Sequence, residues 1–294
     1  MRRMRYATWA LLITALVIGA VIDRPVARPP LTIGGYRVLA ADFHTHSSTW
    51  SDGALTPFGL VLEAERQGLD AIAITGHNEV VDAKVGRWFS RLIGGPIVLV
   101  GEEILSEPRY HLIAAGISER VDFQQSAASA IDEIHRQGGI AIAAHPRTEF
   151  WPAYDAAAMQ RLDGAEICHP MIYSMPDVQR ELIEFAARGH VAAIGSSDFH
   201  GIGPMGMCRT FVFARDASEA GVIEAVRAHR TVVYGLPDRP FGDPELVMLV
   251  EHDTRLRGQA VPDWRGGALD WTNRIAALLA LAMIAGSEVK RTLS

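Results

Sequence analysis

The sequence has little cysteine and no surplus of positive charge, and each of these absences excludes a class of protein. Only two cysteines, Cys168 and Cys208, occur in 294 residues, which excludes a disulfide-rich scaffold and a zinc site built from cysteine. A single disulfide between them remains open if the domain is exported. The formal net charge of −6 offers no basic surface of the kind that binds duplex DNA, so we expect no duplex nucleic acid as a partner.

A long apolar stretch lies near the amino terminus. Residues 6–22 carry no charge and follow arginines at positions 2, 3 and 5. This pattern predicts a signal peptide or an N-terminal transmembrane anchor, and the proline-rich residues 23–30 complete this part of the chain as a linker. Because basic flanks stay in the cytoplasm, we expect an exported or membrane-anchored protein whose catalytic domain lies on the extracytoplasmic, periplasmic side.

A second apolar stretch lies near the carboxyl terminus. Residues 275–286 carry no charge, and Trp271 before them and Lys290 after them are typical of membrane interfaces. Residues 271–294 therefore form either a second membrane helix or a helix that is buried or lies on a membrane surface, and the sequence leaves both interpretations open. Residues 236–270 are proline-rich and mixed in character, which predicts a peripheral extension.

Between these ends, apolar segments with strand character alternate with helical ones. The predicted strands are residues 37–43, 71–75, 97–104, 111–117, 140–145, 165–168, 191–196 and 209–214. The predicted helices lie near residues 56–68, 82–93, 125–137, 175–188 and 219–229. Near-continuous apolar strands are typical of parallel sheets buried on both faces. Residues 31–235 are therefore predicted to form an α/β domain, either a barrel related to the TIM fold or an open doubly wound sheet.

A pair of histidines ends the first predicted strand. His44 and His46 are separated by one residue, so their side chains point to the same face, and Asp52 follows on the next loop. Imidazoles and a carboxylate at a strand end are typical of a divalent-metal site. Similar residues lie at the ends, or in one case at the start, of other predicted strands: His77, Glu103, His111, His145, Asp198 and His200. In a β/α barrel these side chains would share one rim.

These residues belong to a series of motifs that follow one another between about Val38 and Val233. The motifs are Asp42-Phe43-His44-Thr45-His46, Ser51-Asp52-Gly53, Ile74-Thr75-Gly76-His77-Asn78, Gly101-Glu102-Glu103, His111, Ala144-His145-Pro146 and Gly195-Ser196-Ser197-Asp198-Phe199-His200. In number and order they resemble those of the polymerase and histidinol phosphatase (PHP) family of metal-dependent hydrolases. The resemblance implies a distorted (β/α)7 TIM-like barrel that holds two or three divalent metal ions, and zinc, manganese and iron all suit such ligands.

Carried over motif by motif, the resemblance implies three ligand groups. These are His44, His46 and Asp198; His111 and His145, with Glu103 bridging to the first group; and Asp52, His77 and His200. Glu103 rather than Glu102 is the predicted bridge, because the family pattern is Gly-any-Glu and neighbouring strand residues point opposite ways. Asp42 is expected to support the ligands rather than to bind metal. Gly76 stands where the family usually has Asp, so a two-metal enzyme is the alternative.

The predicted ligands indicate a hydrolase. Two metal ions about 3.5–4 Å apart can activate a shared water as the nucleophile. Besides Glu103, the predicted catalytic residues are Arg147, as a grip on phosphate or carboxylate, and His200, as a proton donor to the leaving group. An exposed loop position is an equally good interpretation of Arg147, and metal binding would compete with proton donation by His200.

The favoured function is that of a phosphoesterase acting on a small-molecule substrate, a phosphate ester or a nucleotide. The alternative is a carbaryl-hydrolase-like metallohydrolase of carbamate, ester or amide bonds, which export favours slightly. Two polar residues near the sixth predicted strand remain outside this scheme: one lies within the strand and the other directly after it. His169 is interpreted as a substrate contact or a hydrogen-bonded loop residue, and Glu166 as a structural residue.

Overall fold

The chain forms two compact units. The structure, a computed structural model, describes residues 2–22, 29–106, 109–201, 203–235, 239–251, 253–260 and 267–292. One unit consists of Met1–Val26 with Asp263–Ser294, and the other of Ala27–Pro262. Most of the predicted linker and parts of the predicted peripheral extension, which are residues 23–28, 236–238, 252 and 261–266, lie outside the described residues.

The secondary structure of the described residues alternates between strands and helices over most of the larger unit. The strands are β1 (Leu31–Ile33), β2 (Tyr36–Thr45), β3 (Ala71–Ile74), β4 (Ile97–Ser106), β5 (Tyr110–Ala115), β6 (Ile140–Ala143), β7 (Gly164–Cys168), β8 (Ala192–Gly195), β9 (Thr210–Ala214), β10 (Thr231–Gly235) and β11 (Arg239–Gly242). The α-helices are α1 (Arg2–Ile22), α2 (Pro57–Arg66), α3 (Val81–Ile93), α4 (Ala127–Arg136), α5 (Ala156–Met159), α6 (Met171–Ser174), α7 (Pro176–Ala187), α8 (Glu219–Arg227), α9 (Pro244–Val250), α10 (Thr254–Ala260) and α11 (Gly267–Thr292).

All of these strands belong to one sheet, which curls into a nearly closed barrel. Its order is β11-β10-β9-β2-β3-β4-β5-β6-β7-β8, and β1 pairs with β2. The backbone N–H of Gly195, in β8, donates to the hydroxyl of Thr210, in β9, at 2.9 Å, so strands from distant positions in the sheet order come together. The predicted α/β barrel of TIM-like form is confirmed at this level.

The predicted strands are all present, as β2 to β9, and the predicted helices are present as α2, α3, α4, α7 and α8. The expectation that the strands run parallel is wrong for part of the sheet. β5 is antiparallel to both β4 and β6, and β9 is antiparallel to β2. The link from Ser106 to Tyr110 is too short for the crossover that two parallel strands need, which explains the first of these pairings.

Apolar strand residues divide between two layers. Ile72 and Val98 pack in a cluster that includes helix residues such as Leu60. Their neighbours Ala71 and Leu99 belong to a second cluster, which consists almost entirely of strand side chains and residues of α8. Because side chains alternate along a strand, one face of the sheet packs under the helices and the other fills the barrel. Polar side chains are thereby concentrated at the strand ends.

The smaller unit is an antiparallel pair of helices, α1 and α11. Asn273, near the start of α11, donates from Nδ2 to the backbone carbonyl of Ala15, towards the end of α1, at 2.8 Å. Among the described residues, no helix is both long and apolar enough to cross a membrane. The transmembrane segments predicted at the two ends of the chain therefore find no support in the structure.

Candidate metal centre

The structure brings all nine predicted ligands to one rim of the barrel. They lie in or just after β2, β3, β4, β6 and β8, and at the start of β5. His111 reaches this rim from the start of its strand because β5 runs antiparallel to β4, which places His111 opposite Leu105. The antiparallel pairing that the sequence did not predict is thus what positions this ligand.

Glu103 lies at the centre of the rim and is almost fully buried. Its Oε2 atom is 3.1 Å from Nε2 of His77 and 3.3 Å from Nε2 of His44. Its Oε1 atom is 3.1 Å from Nδ1 of His111 and 3.3 Å from Nε2 of His145. A carboxylate whose two oxygens face separate pairs of imidazoles has the geometry required to bridge two cations.

Three polar atoms next to Glu103 converge without satisfying one another. Oδ1 of Asp198 is 3.1 Å from Nε2 of His46 and 3.3 Å from Nε2 of His44. All three atoms are buried and none of them makes a hydrogen bond. Each buried polar atom without a partner costs about 1–3 kcal/mol. Two imidazole nitrogens and a carboxylate oxygen aimed at one point fit a divalent cation, which would satisfy all three at once.

A more open group of ligands lies beside the buried ones. Oδ1 of Asp52 is 3.2 Å from Nε2 of His200 and 3.8 Å from Nδ1 of His77. Nδ1 of His46 is 3.6 Å from the same oxygen. Asp52 is 57% exposed and His200 33% exposed, so a substrate entering from solvent meets this group before the buried ligands.

The residues that the structure describes include four groups of potential ligands whose donor atoms lie within 4.8 Å of one another. They are His46, Asp52, His77 and His200; His44, Glu103 and His145; His44, His46 and Asp198; and His145, His169 and Asp198. The first three resemble the predicted groups, except that His46 joins the first and His44 takes the place of His111 in the second. The fourth includes His169, which was not among the predicted ligands.

Burial and nearby charges act in opposite directions on these side chains. Burial lowers the pKa of His46 to about 4, against the opposing effect of the negative charge of Asp198, so its ring is neutral at pH 7. Burial alone would raise the pKa of Glu103, but His44 and His111 hold it well below its usual value. For His44, burial is outweighed by Asp198 and Glu103, which raise its pKa well above normal. A proton and a metal ion would therefore compete for Nε2 of His44.

Two of the predicted ligands stand on left-handed backbone. The φ angle is 25° at His145 and 46° at Asp198, a conformation that costs non-glycine residues about 1–3 kcal/mol. Asp42 helps to hold the second of these: its buried Oδ1 accepts the backbone N–H groups of Ser197 at 3.0 Å and His44 at 3.2 Å. Asp42 thus ties the end of β2 to the loop after β8, the supporting role expected from the sequence.

Glu166, interpreted from the sequence as a structural residue, lies directly behind two of the predicted ligands. It is fully buried, its Oε1 lies 3.0 Å from Nδ1 of His44, and its Oε2 accepts the backbone N–H of His145 at 2.6 Å. A carboxylate on Nδ1 fixes the ring so that Nε2 faces the metal centre. The available signal was a lone acidic residue between Ala165 and Ile167, in a strand that is otherwise apolar.

His169 positions Asp198. Nδ1 of this buried ring accepts the backbone N–H of Met171 at 3.2 Å, which assigns the proton of the neutral ring to Nε2. Nε2 lies 3.2 Å from Oδ2 of Asp198 and donates to it. This hydrogen bond occupies one carboxylate oxygen and leaves Oδ1 directed at His44 and His46. Of the two interpretations of His169, the structure supports the hydrogen-bonded one.

Replacing His169 by alanine is expected to weaken metal binding by about 10- to 100-fold, because Asp198 loses the donor that orients it. His169→Gln retains an N–H donor and is expected to recover part of that affinity. Calorimetric titration of chelator-treated protein with manganese or zinc measures both. Unchanged affinity in His169→Ala would contradict the assignment. A glutamine variant as weak as the alanine variant, with one fewer ion bound, would instead make His169 a ligand.

Arg147, the predicted grip on the substrate, is engaged in an ion pair. Its Nε donates to Oε2 of Glu181, in α7, at 2.8 Å. The hydrogen bond to Glu181 raises the pKa of Arg147 above its usual value, so the guanidinium stays charged. The carboxylate of Glu181 largely compensates that charge. A role for Arg147 in catalysis stays a prediction.

The side chain of Glu79 explains why residue 76 is a glycine. A Cβ atom at Gly76 would collide with the carboxylate of Glu79. Oε2 of Glu79 accepts the backbone N–H groups of Val81 and Asp82 at the start of α3. Glu79 thus fills the space beside His77 in which the family usually has an aspartate side chain.

Several known proteins are similar to parts of this chain. No family model matches the chain. An uncharacterised protein of Methanocaldococcus jannaschii is 26% identical over 140 residues, which are 44% of this chain and 81% of that protein. A two-domain protein of Bacteroides vulgatus, containing a predicted PHP-like metal-dependent phosphoesterase, has a TM-score of 0.57 and 26% identity, over 72% of this chain and 68% of its own. A Bifidobacterium adolescentis protein assigned as a metal-dependent phosphoesterase has a TM-score of 0.43 and 21% identity, over 59% and 90%.

The likeness to the Bacteroides vulgatus structure and the motifs of the sequence lead to the same family. The likeness extends over most of the chain, and the motif residues meet at one rim of a barrel of the expected type. In its motifs and in its fold the chain resembles the PHP family of metal-dependent hydrolases.

Proposed function

We propose that the chain is a metal-dependent phosphoesterase that hydrolyses a small phosphate ester or a nucleotide. One observation carries the proposal: three buried donor atoms without hydrogen bonds converge beside Glu103, a carboxylate surrounded by imidazoles. The likeness to a protein with a PHP-like phosphoesterase domain supports a phosphate ester as the substrate class.

The residues divide into those that would hold metal ions and those that orient them. The proposed ligands are His44, His46, Asp198, Glu103, His111, His145, Asp52, His77 and His200. Divalent cations in such a site supply charge that stabilises the phosphoryl oxygens, and they acidify a water molecule. Two or three ions are proposed, and zinc, manganese and iron all match the donor set.

The chain's own groups contribute orientation and proton transfer. Glu166 and His169 hold His44 and Asp198 in the orientations given for the metal centre. Nδ1 of His200 donates to the backbone carbonyl of Asp198 at 2.9 Å, so in the neutral ring Nε2 carries a lone pair. That tautomer suits a metal ligand. Donation of a proton to the leaving group by His200 requires the protonated ring and stays a prediction.

Hydrolysis of carbamate, ester or amide bonds is the second candidate. It is favoured by the ion pair between Arg147 and Glu181, which compensates the charge of the cation that was predicted to grip a phosphate or a carboxylate. The expectation that duplex nucleic acid is not a partner rests on the net charge of −6 and stays a prediction.

We also propose that the catalytic unit works outside the cytoplasm. Cys168 and Cys208 form a disulfide, with Cα atoms 5.3 Å apart. Disulfides persist mainly in oxidising compartments, and the arginines before residues 6–22 favour export of the later part of the chain.

Hydrolysis of a substrate panel by the full chain tests the proposed function. Aryl phosphates, phosphodiesters, nucleotides, aryl carbamates and aryl esters are each assayed with and without manganese or zinc. We expect metal-dependent phosphate release, because the ligands suit cations that stabilise phosphoryl oxygens. The matched control is His44→Ala, which removes a ligand from the buried group and should abolish turnover.

Turnover of carbamates or esters alone would move the protein to the second candidate class. Phosphate release that is equal in the natural chain and in His44→Ala would contradict both candidates.

A further inference from the structure

The helix α1 is apolar over almost its whole circumference. From residue 6 to residue 18, every side chain is exposed except Thr8, Leu12 and Ala15, and none of the exposed side chains is charged. The exposed set includes large residues, among them Trp9 and Leu16, the latter 62% exposed. A helix of a water-soluble protein normally places such side chains in a core and its charged residues outside.

The partner helix α11 has the same character. Residues 275–286 carry no charge, and among them only Ala280 is fully buried. The large side chains exposed on this helix are Ile275, Leu278, Leu279, Leu281 and Met283. The two helices therefore present a joint apolar surface of a kind that water-soluble proteins seldom expose.

In the contact between the two helices, small side chains are buried and large apolar side chains face outwards. A helix pair of a water-soluble protein shows the opposite distribution. The buried positions hold Thr8, Ala15 and Ala280, which are small or carry a hydroxyl, together with Leu12. The amide of Asn273 bridges the helices by donating to the carbonyl of Ala15. Small residues and side-chain hydrogen bonds between helices, with large apolar residues outside, are typical of helices surrounded by lipid.

We propose that the helix pair binds a lipid bilayer. The arrangement favours lipid over a second copy of the chain, because the apolar residues of α1 point in every direction except that of α11, whereas another helix pair would cover one side only. The lipid phase covers all sides at once.

The distribution of charge along the pair favours an anionic lipid surface. Arg2, Arg3 and Arg5 lie in the first turns of α1, and Lys290 and Arg291 lie at the end of α11. Because the helices are antiparallel, these basic positions belong to the same end of the pair. Clustered basic residues beside an apolar helix are attracted to anionic headgroups.

Vesicle flotation of the full chain tests this proposal. The protein is mixed with vesicles of phosphatidylcholine containing phosphatidylglycerol, and separately with phosphatidylcholine alone. We expect the chain to float with both, more completely with the anionic vesicles. The double substitution Leu16→Glu with Leu279→Glu places charges on the exposed surface, and we expect it to lower the bound fraction by at least about tenfold.

The matched control is Leu16→Met with Leu279→Met, which keeps the surface apolar and should float like the natural chain. Circular dichroism and calorimetric metal binding establish that each variant is folded, independently of any catalytic activity. A natural chain that stays unbound to vesicles would overturn the proposal. If light scattering also shows a dimer that the glutamate variant dissociates, the occupant of the apolar surface is a second copy rather than lipid.

Discussion

Replacement of Glu103 by glutamine is expected to lower phosphate release by about 10³-fold or more. Glutamine keeps the size of the side chain but removes the negative charge that faces His44, His77, His111 and His145. Loss of a bridging ligand removes several kcal/mol of transition-state stabilisation, and 1.36 kcal/mol corresponds to a factor of ten in rate. Steady-state kinetics at saturating manganese or zinc measures the effect.

The neighbouring residue provides a matched control. Glu102 points away from the metal centre, and its Oε1 accepts the backbone N–H of Val121. Glu102→Gln makes the same chemical change one residue away and should leave turnover within about twofold of the natural chain. Equal losses in the two variants would contradict the assignment of Glu103 as the bridge.

Glu102→Gln should also change the pH dependence of stability. Burial raises the pKa of Glu102 from 4.5 to about 7. Because the pKa of Glu102 is higher in the folded state than in the unfolded state, the stability that is present below pH 4.5 is lost as the pH rises through 7. Glutamine stays neutral at pH 8, so Glu102→Gln should raise the free energy of unfolding at that pH by about 3 kcal/mol. Equal unfolding free energies at pH 8, by urea titration, would show that Glu102 is not a buried acid with a raised pKa.

The second large effect is expected from removal of the disulfide. Cys168 and Cys208 are 40 residues apart in sequence and both are buried. Closing a loop of this length stabilises the fold by about 4 kcal/mol in the chain-entropy account. The double substitution Cys168→Ala with Cys208→Ala should therefore lower the free energy of unfolding by about 2–4 kcal/mol, as measured by urea titration at fixed metal concentration.

The position of the disulfide adds a second readout. Cys168 directly precedes His169, which holds Asp198, and Cys208 lies in the segment after His200. Looser attachment of these segments should weaken metal binding as well as the fold. Treating the natural chain with a reductant under partly denaturing conditions should reproduce the loss of stability, and treating the double variant should have no effect. An unfolding midpoint that is the same in the natural chain and the double variant would contradict the account.

Much of the metal centre could be predicted because its residues follow short, apolar strands in a recognisable order. A strand end such as that of β2 fixes His44 and His46 on one face by local geometry alone. The choice of Glu103 over Glu102 rested on the family pattern Gly-any-Glu together with the alternation of strand side chains, and the structure places Glu103 among the imidazoles.

The remaining features depend on contacts between distant parts of the chain. Glu166 is 122 residues from His44 in sequence, so its place behind the imidazole follows only from the order of strands in the sheet. The route of His111 to the rim depended on the antiparallel pairing of β5 with β4. The ion pair of Arg147 with Glu181 required the position of α7. The positions of Glu166 and Glu181 are not encoded in a local pattern, whereas the short link between β4 and β5 does indicate their antiparallel pairing.

Titration of metal into the chelator-treated chain, followed by calorimetry and elemental analysis, tests the central claim most directly. The account predicts two or three manganese or zinc ions per natural chain, at least one fewer in Glu103→Gln, and an unchanged number in Glu102→Gln. A natural chain that binds no divalent ion, or a Glu103→Gln variant with the full number and affinity, would contradict the assignment of this rim as a metal centre.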